Sequence, residues 1–464
     1  MYSTARYDFS KNSDKKKLMM TTRTSEQQTP SELMIACEEC GLVVDIPDIK
    51  DGQKADCPRC GHTLAKRIIM PFHRPLAYGL ACLIMLILSL SFPFLSFSVN
   101  GMGQQIMLLN AAETLQHFEN SFLALLLMLT VLVFPAVYIM LVMYLYYRAA
   151  HVKRIGYVSG NPKTIKLLCR ILFKIQPWLM VDVFLIGVLV SLVKISALAH
   201  IGMGYSFWAF CIYSVLVVKC VSLVDRTWLW DQFFAMKHLD GVHDGDTHLS
   251  NNHVGCHVCN QINPLPDSHH AKCLRCESKL HGFNPSHSLQ YSWAYLIASI
   301  IFYIPANLYP MMYTVSLGQT EGSTIMGGVV MLWKMGSWPI ALVIFIASIF
   351  IPMAKMFALA WLYYCAGKKP NDSTRESVKR LKIYRMTEFI GRWSMVDIFV
   401  VAILVALVQL KNLMAISPGP AAICFATVVV FTMLSAMNFD PRVFWGEKSK
   451  INHGSELNTT ESNQ

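Results

Sequence analysis

The sequence predicts an all-α polytopic membrane protein. It has eight transmembrane helices in two related four-helix domains, each preceded by a small cytoplasmic zinc ribbon. Three observations carry this. The 464 residues are 54% hydrophobic and only 15% charged, whereas a soluble globular chain carries roughly 25% charged residues. Apolar runs long enough to cross a bilayer recur along the chain. The chain also repeats itself. Gln176–Ile195 (QPWLMVDVFLIGVLVSLVKI) returns as Ile390–Leu410 (IGRWSMVDIFVVAILVALVQL), with Asp182 and Asp397 at the mouths of the two runs, about 215 residues apart.

Residues 1–33 are polar and aperiodic and read as a disordered tail. They carry Lys15, Lys16 and Lys17 and no apolar core, so no cleavable signal is expected and the N-terminus stays in the cytoplasm. Residues 34–70 hold Cys37-Glu38-Glu39-Cys40, sixteen residues, then Cys57-Pro58-Arg59-Cys60-Gly61. Two CxxC pairs at this separation supply the four thiolates of a tetrahedral Zn²⁺ site. So short a segment cannot build a core alone. Metal binding has to contribute the folding energy, about 10–16 kcal/mol for a structural site.

Residues 71–228 read as the first membrane domain. Span 1 is Leu76–Val99, with Pro93, and span 2 is Ser121–Tyr147, with Pro135. A basic stretch from Arg148 to Lys174 follows. Within it Ile165, Leu168, Ile171, Leu172 and Ile175 share one helical face, the pattern of a helix lying along the inner leaflet. Span 3 is Leu179–Ile201 and span 4 is Tyr205–Val224. Residues 229–285 carry a second set, Cys256-His257-Val258-Cys259, thirteen residues, then Cys273-Leu274-Arg275-Cys276. That gap is slightly short for a ribbon, so His269 or His270 is an alternative ligand to the simpler four-cysteine site.

Residues 286–446 read as the second membrane domain. Span 5 is Leu289–Thr314, containing Pro305, Asn307 and Pro310; span 6 is Trp338–Cys365, with Pro352. The basic segment Lys368 to Arg385 follows, then span 7 (Trp393–Leu413) and span 8 (Pro420–Asn438). Residues 447–464 are a polar tail. The basic loops, both ribbons and both termini fall on one side, which the positive-inside rule makes the cytoplasm. A reducing compartment keeps the thiols free for metal. The net charge of +11 therefore reads as membrane orientation, with no nucleic acid partner.

Charges inside spans need a reason. Lys194, Lys219, Lys355, Asp182 and Asp397 each cost about 3 kcal/mol or more near the bilayer centre unless paired or hydrated. Lys355 lies ten residues from the end of span 6, about 15 Å deep at 1.5 Å per residue. Pairing of Lys355 with Asp397, beside Ser348, Ser394 and Asn307, outlines a polar transport pocket, with Lys194 and Asp182 as the first half's candidates. Alternatively, Asp182 and Asp397 only cap their helices, and Lys219 snorkels. Pro93, Pro135, Pro305, Pro310 and Pro352 each remove a backbone donor and are expected as helix breaks of the kind found around substrate sites. Such prolines are also frequent in membrane helices. No GxxxxGK[ST], GxSxG or HExxH motif occurs, so an enzyme reading has no site.

These stretches resemble a known family. HSLQYSWAYLIASIIFYIPANLYPMM, VIFIASIFIPMAKM, GRWSMVDIF, VDRTWLWD and MNFDPRVFW, with the paired CxxC ribbons, are similar to the paraquat-inducible protein A family (PqiA/LetA). The likeness is nearer the PqiA branch and runs from about Cys37 to Trp445. It implies a Gram-negative inner-membrane protein working with a periplasmic MCE-domain partner (PqiB/LetB-like) that forms a tunnel. Phospholipid would move between inner and outer membranes, supporting envelope homeostasis. It also implies a pocket in the second domain at Ser348, Lys355, Ser394 and Asp397. The halves are not chemically equivalent, since Lys194 becomes Gln409 and Lys355 corresponds to Tyr138. The expected function is a lipid-transport component with two structural Zn sites. The alternatives are a scaffold anchoring the MCE protein, or an ion-coupled exporter of small toxic compounds.

Overall fold

The computed structural model describes residues 33–47, 49–99, 102–107, 125–155, 161–196, 200–265, 272–280, 282–316, 319–334, 336, 338–368, 374–407, 409–410 and 414–446. Of the expected tails, residues 1–32 and 447–464 lie outside these, as do His269 and His270, while Leu33, expected in the tail, opens the first strand.

The chain opens with two hairpins, β1 (Leu33–Ala36) with β2 (Val43–Ile46) and β3 (Lys54–Asp56) with β4 (Thr63–Lys66). Helix α1 (His73–Ser91) follows, with Pro75 among the first four residues, whose N–H groups have no intrahelical partner. It leads into β5 (Leu95–Val99) and β6 (Met102–Ile106). A π turn, Met128–Val133, runs into α2 (Phe134–Ile155), then come α3 (Pro162–Ile175), α4 (Val181–Ser196), β7 (His200–Met203), α5 (Tyr205–Ser222) and α6 (Arg226–Phe233). The second hairpin module carries β8 (Val254–Gly255) and β9 (Ile262–Asn263). The second half comprises α7 (Pro285–Leu308), β10 (Met312–Ser316), β11 (Gln319–Ser323), α8 (Ile325–Lys334), α9 (Trp338–Phe345), a π turn at Ile346–Phe350 and α10 (Ile351–Gly367). It ends with α11 (Thr374–Trp393), α12 (Val396–Leu407), β12 (Gln409–Leu410), β13 (Met414–Pro418) and α13 (Pro420–Asn438).

Seven helical stretches among the described residues are long and apolar enough to cross a membrane, and the chain is a multi-pass membrane protein. The expected seventh span, Trp393–Leu413, holds a helix of only 12 residues, α12. The all-α expectation needs correcting. The ends assigned to spans 1 and 3 are strands, in a three-stranded sheet ordered β6-β5-β7, and the end of span 5 enters a four-stranded sheet ordered β11-β10-β13-β12. Each sheet follows the far end of a helix, α1 or α7, whose start follows a cysteine module in the chain. Leu95 pairs with Met203 and Met312 with Pro418, so the same two connections are tied together in each half.

Helix pairs in a bilayer gain from close backbone approach, which small residues allow. Ser292, Ser299 and Ala306 recur every seven residues on α7 and are fully buried, with Ala421, Ala422 and Ala426 buried on its main neighbour α13. The same pairing joins α1 to α5, where the Ser206 hydroxyl donates to the Ser89 carbonyl. The halves meet through the repeated helices themselves, α4 against α12. Phe184 and Phe399 stack edge-on at 5.6 Å, and a Cβ on Gly187 would stand 3.0 Å from Phe399 Cβ.

The five prolines do three different things. Pro93 and Pro310 lie past the ends of α1 and α7, outside any helix, which corrects their expected place mid-span. In each half the proline's carbonyl abuts a glycine opening the last span: a Cβ on Gly204 would overlap the Pro93 oxygen, and one on Gly419 the Pro310 oxygen. Gly419→Ala is expected to cost about 1–3 kcal/mol by overpacking against backbone, read as a lowered unfolding midpoint in detergent. Gly282→Ala, which meets open space, should leave the midpoint unchanged. Pro135 and Pro352 each follow a π turn, in which the Phe134 N–H reaches back five residues to the Leu129 carbonyl and Ile351 to Ile346. The wider turn takes the ring without ending the helix. Pro305 alone sits inside a regular helix.

Candidate functional site

Four CxxC turns share one backbone design. In each, the first cysteine's carbonyl accepts from the N–H four residues on: Gly41 to Cys37 at 2.9 Å, Gly61 to Cys57 at 2.8 Å, Asn260 to Cys256 at 2.9 Å and Glu277 to Cys273 at 3.0 Å. That fourth residue is left-handed every time, with φ of 70°, 71°, 59° and 60°. Glycine takes this region freely and asparagine with little cost; Glu277 is the strained member.

These turns bring Cys37, Cys40, Cys57 and Cys60 together, and separately Cys256, Cys259, Cys273 and Cys276, each set buried with its sulfurs within 4.8 Å of one another. Nearest Sγ···Sγ distances are 3.5 Å for Cys37–Cys60 and 3.6 Å for Cys40–Cys57. In the second set Cys256–Cys276 and Cys259–Cys273 are both 3.5 Å. Metal–sulfur bonds of ~2.3 Å in a tetrahedron place sulfurs just under ~4 Å apart, so both sets could hold a metal ion. Backbone N–H groups point at the sulfurs as well, Val258 to Cys256 at 3.5 Å and Arg275 to Cys273 at 3.4 Å. Such donors favour thiolate over thiol. The short second gap did not require a histidine.

Around the first set, Glu39 accepts from Arg385 of α11 and lies 3.2 Å from His62 Nδ1. Burial opposes the charge on Glu39, but bonds from His62 and Arg385 outweigh it and hold the carboxyl below its ordinary range. Burial likewise opposes the His62 charge, and Glu39 more than restores it.

The second polar centre lies within the bundle. Lys355, 4% exposed on α10, donates to Thr432 Oγ1 of α13 at 2.8 Å, and Thr432 donates on to the Val429 carbonyl at 2.9 Å. A Cβ on Gly391 would stand 3.1 Å from Lys355 Nζ, so the ammonium rests against the last turn of α11. Sequence reading selected Lys355 but missed Thr432, one of three hydroxyl residues (Thr427, Thr432, Ser435) in an otherwise apolar span. Thr432→Val should cost about 1–3 kcal/mol by leaving a buried donor without its acceptor, while Thr432→Ser should hold both the unfolding midpoint and activity.

The other selected residues fall as follows. Ser348 is buried in the π turn before α10, and Ser394 is buried between α11 and α12. Asp397 and Asp182 occupy the first turns of α12 and α4, where an acid meets the positive end of the helix dipole. Asn307 donates to the Tyr303 carbonyl on its own helix at 2.9 Å, and Tyr303 donates to Ile349 at 3.3 Å. Lys219 lies exposed in the last turn of α5, where snorkelling is open to it. Lys194 is on α4, its side chain outside the described residues. Tyr138, the first-half counterpart of Lys355, is fully buried.

Fold and site together define a multi-pass helical membrane protein with two four-cysteine modules on one face and, among the described residues, one buried lysine in its second half. The chain belongs to the family described as Paraquat-inducible protein A, matched twice, by residues 72–234 and 289–448. It is 41% identical over 422 residues to the intermembrane transport protein PqiA of Escherichia coli K12, covering 90% of this chain and 97% of that protein. A probable intermembrane transport protein of Haemophilus influenzae is 28% identical over 421 residues, 90% of this chain and 97% of that protein. The lipophilic envelope-spanning tunnel protein A of E. coli K12 is 26% identical over 426 residues, 92% of this chain and 94% of that protein. No solved structure matches.

Proposed function

We propose that this chain is the inner-membrane component of a lipid-transport system, passing phospholipid between inner and outer membranes through a tunnel formed by a periplasmic MCE-domain partner. The ribbons and both termini face the cytoplasm, and each ribbon holds a structural zinc ion. The units are the ribbons at 34–70 and 229–285 and the membrane domains at 71–228 and 286–446. The observation that carries this reading is Lys355. An ammonium deep in an apolar helix is costly to keep, and beside a threonine hydroxyl it offers a lipid phosphate a charge-assisted donor. In this reading Ser348, Ser394 and Asp397 complete a pocket around it. The relatives' names, intermembrane transport and envelope-spanning tunnel, support the same role.

A photoreactive residue at Ser348 tests it in membranes. A phospholipid adduct that disappears in Lys355→Met is the expected result. The control position Phe357, 69% exposed to the bilayer, should cross-link in both backgrounds. Adducts at Phe357 with none at Ser348 would leave an anchor for the MCE protein as the better description.

A further inference from the structure

Each ribbon is built into the opposite half of the protein. The first ribbon precedes the first membrane domain. Yet Ile35, Leu64 and its cysteines share one apolar core with Leu381, Phe444 and Trp445 of the second. The second ribbon precedes the second domain. Its cysteines and Leu280 share a core with Ile165, Cys169 and Leu172 of α3 in the first. The polar contacts follow the same crossing. Arg385 of α11 grips Glu39 and donates to the Cys60 carbonyl at 3.1 Å, while Arg59 lies 4.3 Å over the Trp445 ring. Lys166 of α3 meets Glu277 at 2.7 Å. Arg226 donates to the His257 carbonyl at 2.9 Å, and the Asn260 amide donates to Thr227 Oγ1 at 3.1 Å.

The first ribbon also touches its own half, through Arg226 to Glu38 at 2.6 Å and Lys66 to the Ser222 carbonyl at 3.2 Å. Neither bond ends on the basic helix α3, which the first ribbon meets indirectly, through Arg226 lying 5.4 Å over the Phe173 ring. The two ribbons join each other as well, with the Val43 N–H on the Asp246 carbonyl at 2.7 Å.

The two acids that reach the surface helices belong to the metal turns. Glu39 lies between Cys37 and Cys40, and Glu277 is the left-handed residue directly after Cys276. Coordination fixes those turns, so it also fixes where the carboxylates point. We propose that metal loading of each ribbon is transmitted to the basic surface helix of the other half: the first ribbon secures α11, the second secures α3, and together they tie the two membrane domains across one face.

Hydrogen exchange on the full chain in lipid nanodiscs tests this without reference to transport. Cys57→Ser, which breaks the first metal site, should speed amide exchange in α11 by about tenfold and leave α3 within about twofold of the parent. Cys273→Ser should do the reverse. Glu39→Gln and Glu277→Gln leave all eight cysteines in place, should retain two metal ions per chain, and should reproduce the crossed pattern at about two- to fivefold. Loosening of the helix in the ribbon's own half, equal loosening of both helices, or no change in either overturns the proposal.

Discussion

Cys40→Ser should strip one of two metal ions from each chain and unfold residues 33–66 while the second site stays loaded. The expectation rests on how little secondary structure the module has of its own. Its strands are three or four residues long, and two separate hairpins share no continuous sheet. A structural zinc site supplies about 10–16 kcal/mol, far more than two such hairpins provide. A serine oxygen is a poorer ligand than thiolate, and three buried thiolates without their ion repel one another. The effect should be read as metal content falling from two to one per purified chain, with new tryptic cleavage at Lys54 and Arg59. Metal content unchanged at two would place the ion elsewhere.

Lys355→Met is the second variant with a large expected effect, and its value lies in moving two quantities differently. Methionine nearly matches the volume of the lysine stem, and replacing a buried charge by an apolar group is often neutral or stabilising, by about 1–4 kcal/mol. Thr432 keeps its bond to the Val429 carbonyl in that variant, so no new unsatisfied group is created. The unfolding midpoint should therefore hold or rise. Complementation of a strain lacking the protein should nevertheless fall at least about tenfold, because the only group lost is the charge itself. Asp397→Ala is expected to lose function as well. A Lys355→Met protein that complements fully would remove the ammonium from the transport step.

Much of the architecture was open to a reading of the chain. The repeat, the order of apolar runs and both cysteine sets follow from local pattern: a CxxC turn presents its two thiolates whatever surrounds it. The strands were not legible for a physical reason. Leu95–Val99, His200–Met203 and Met312–Ser316 continue runs that are already apolar, and hydropathy cannot tell a span's last turn from a short buried strand. Three prolines carried within helices and two past helix ends also look alike in sequence. Only the position of the helix end, set by the sheet beyond it, separates Pro93 from Pro135.

The site divides the same way. Lys355 was visible because a charge in an apolar run is anomalous by itself. Thr432 was not, because a threonine costs a membrane helix little, Thr427 and Ser435 share the same span, and none of the three stands out until a donor faces it.

By itself, the sequence determined that this is a duplicated membrane protein with two four-cysteine modules and one deeply placed lysine, since each follows from composition and spacing within a few turns of chain. Tertiary structure alone decided which hydroxyl meets that lysine, where the spans give way to sheets, and that each ribbon grips the other half. Those outcomes depend on surfaces brought together over hundreds of residues, and side-chain complementarity at that range leaves no periodic trace in the chain.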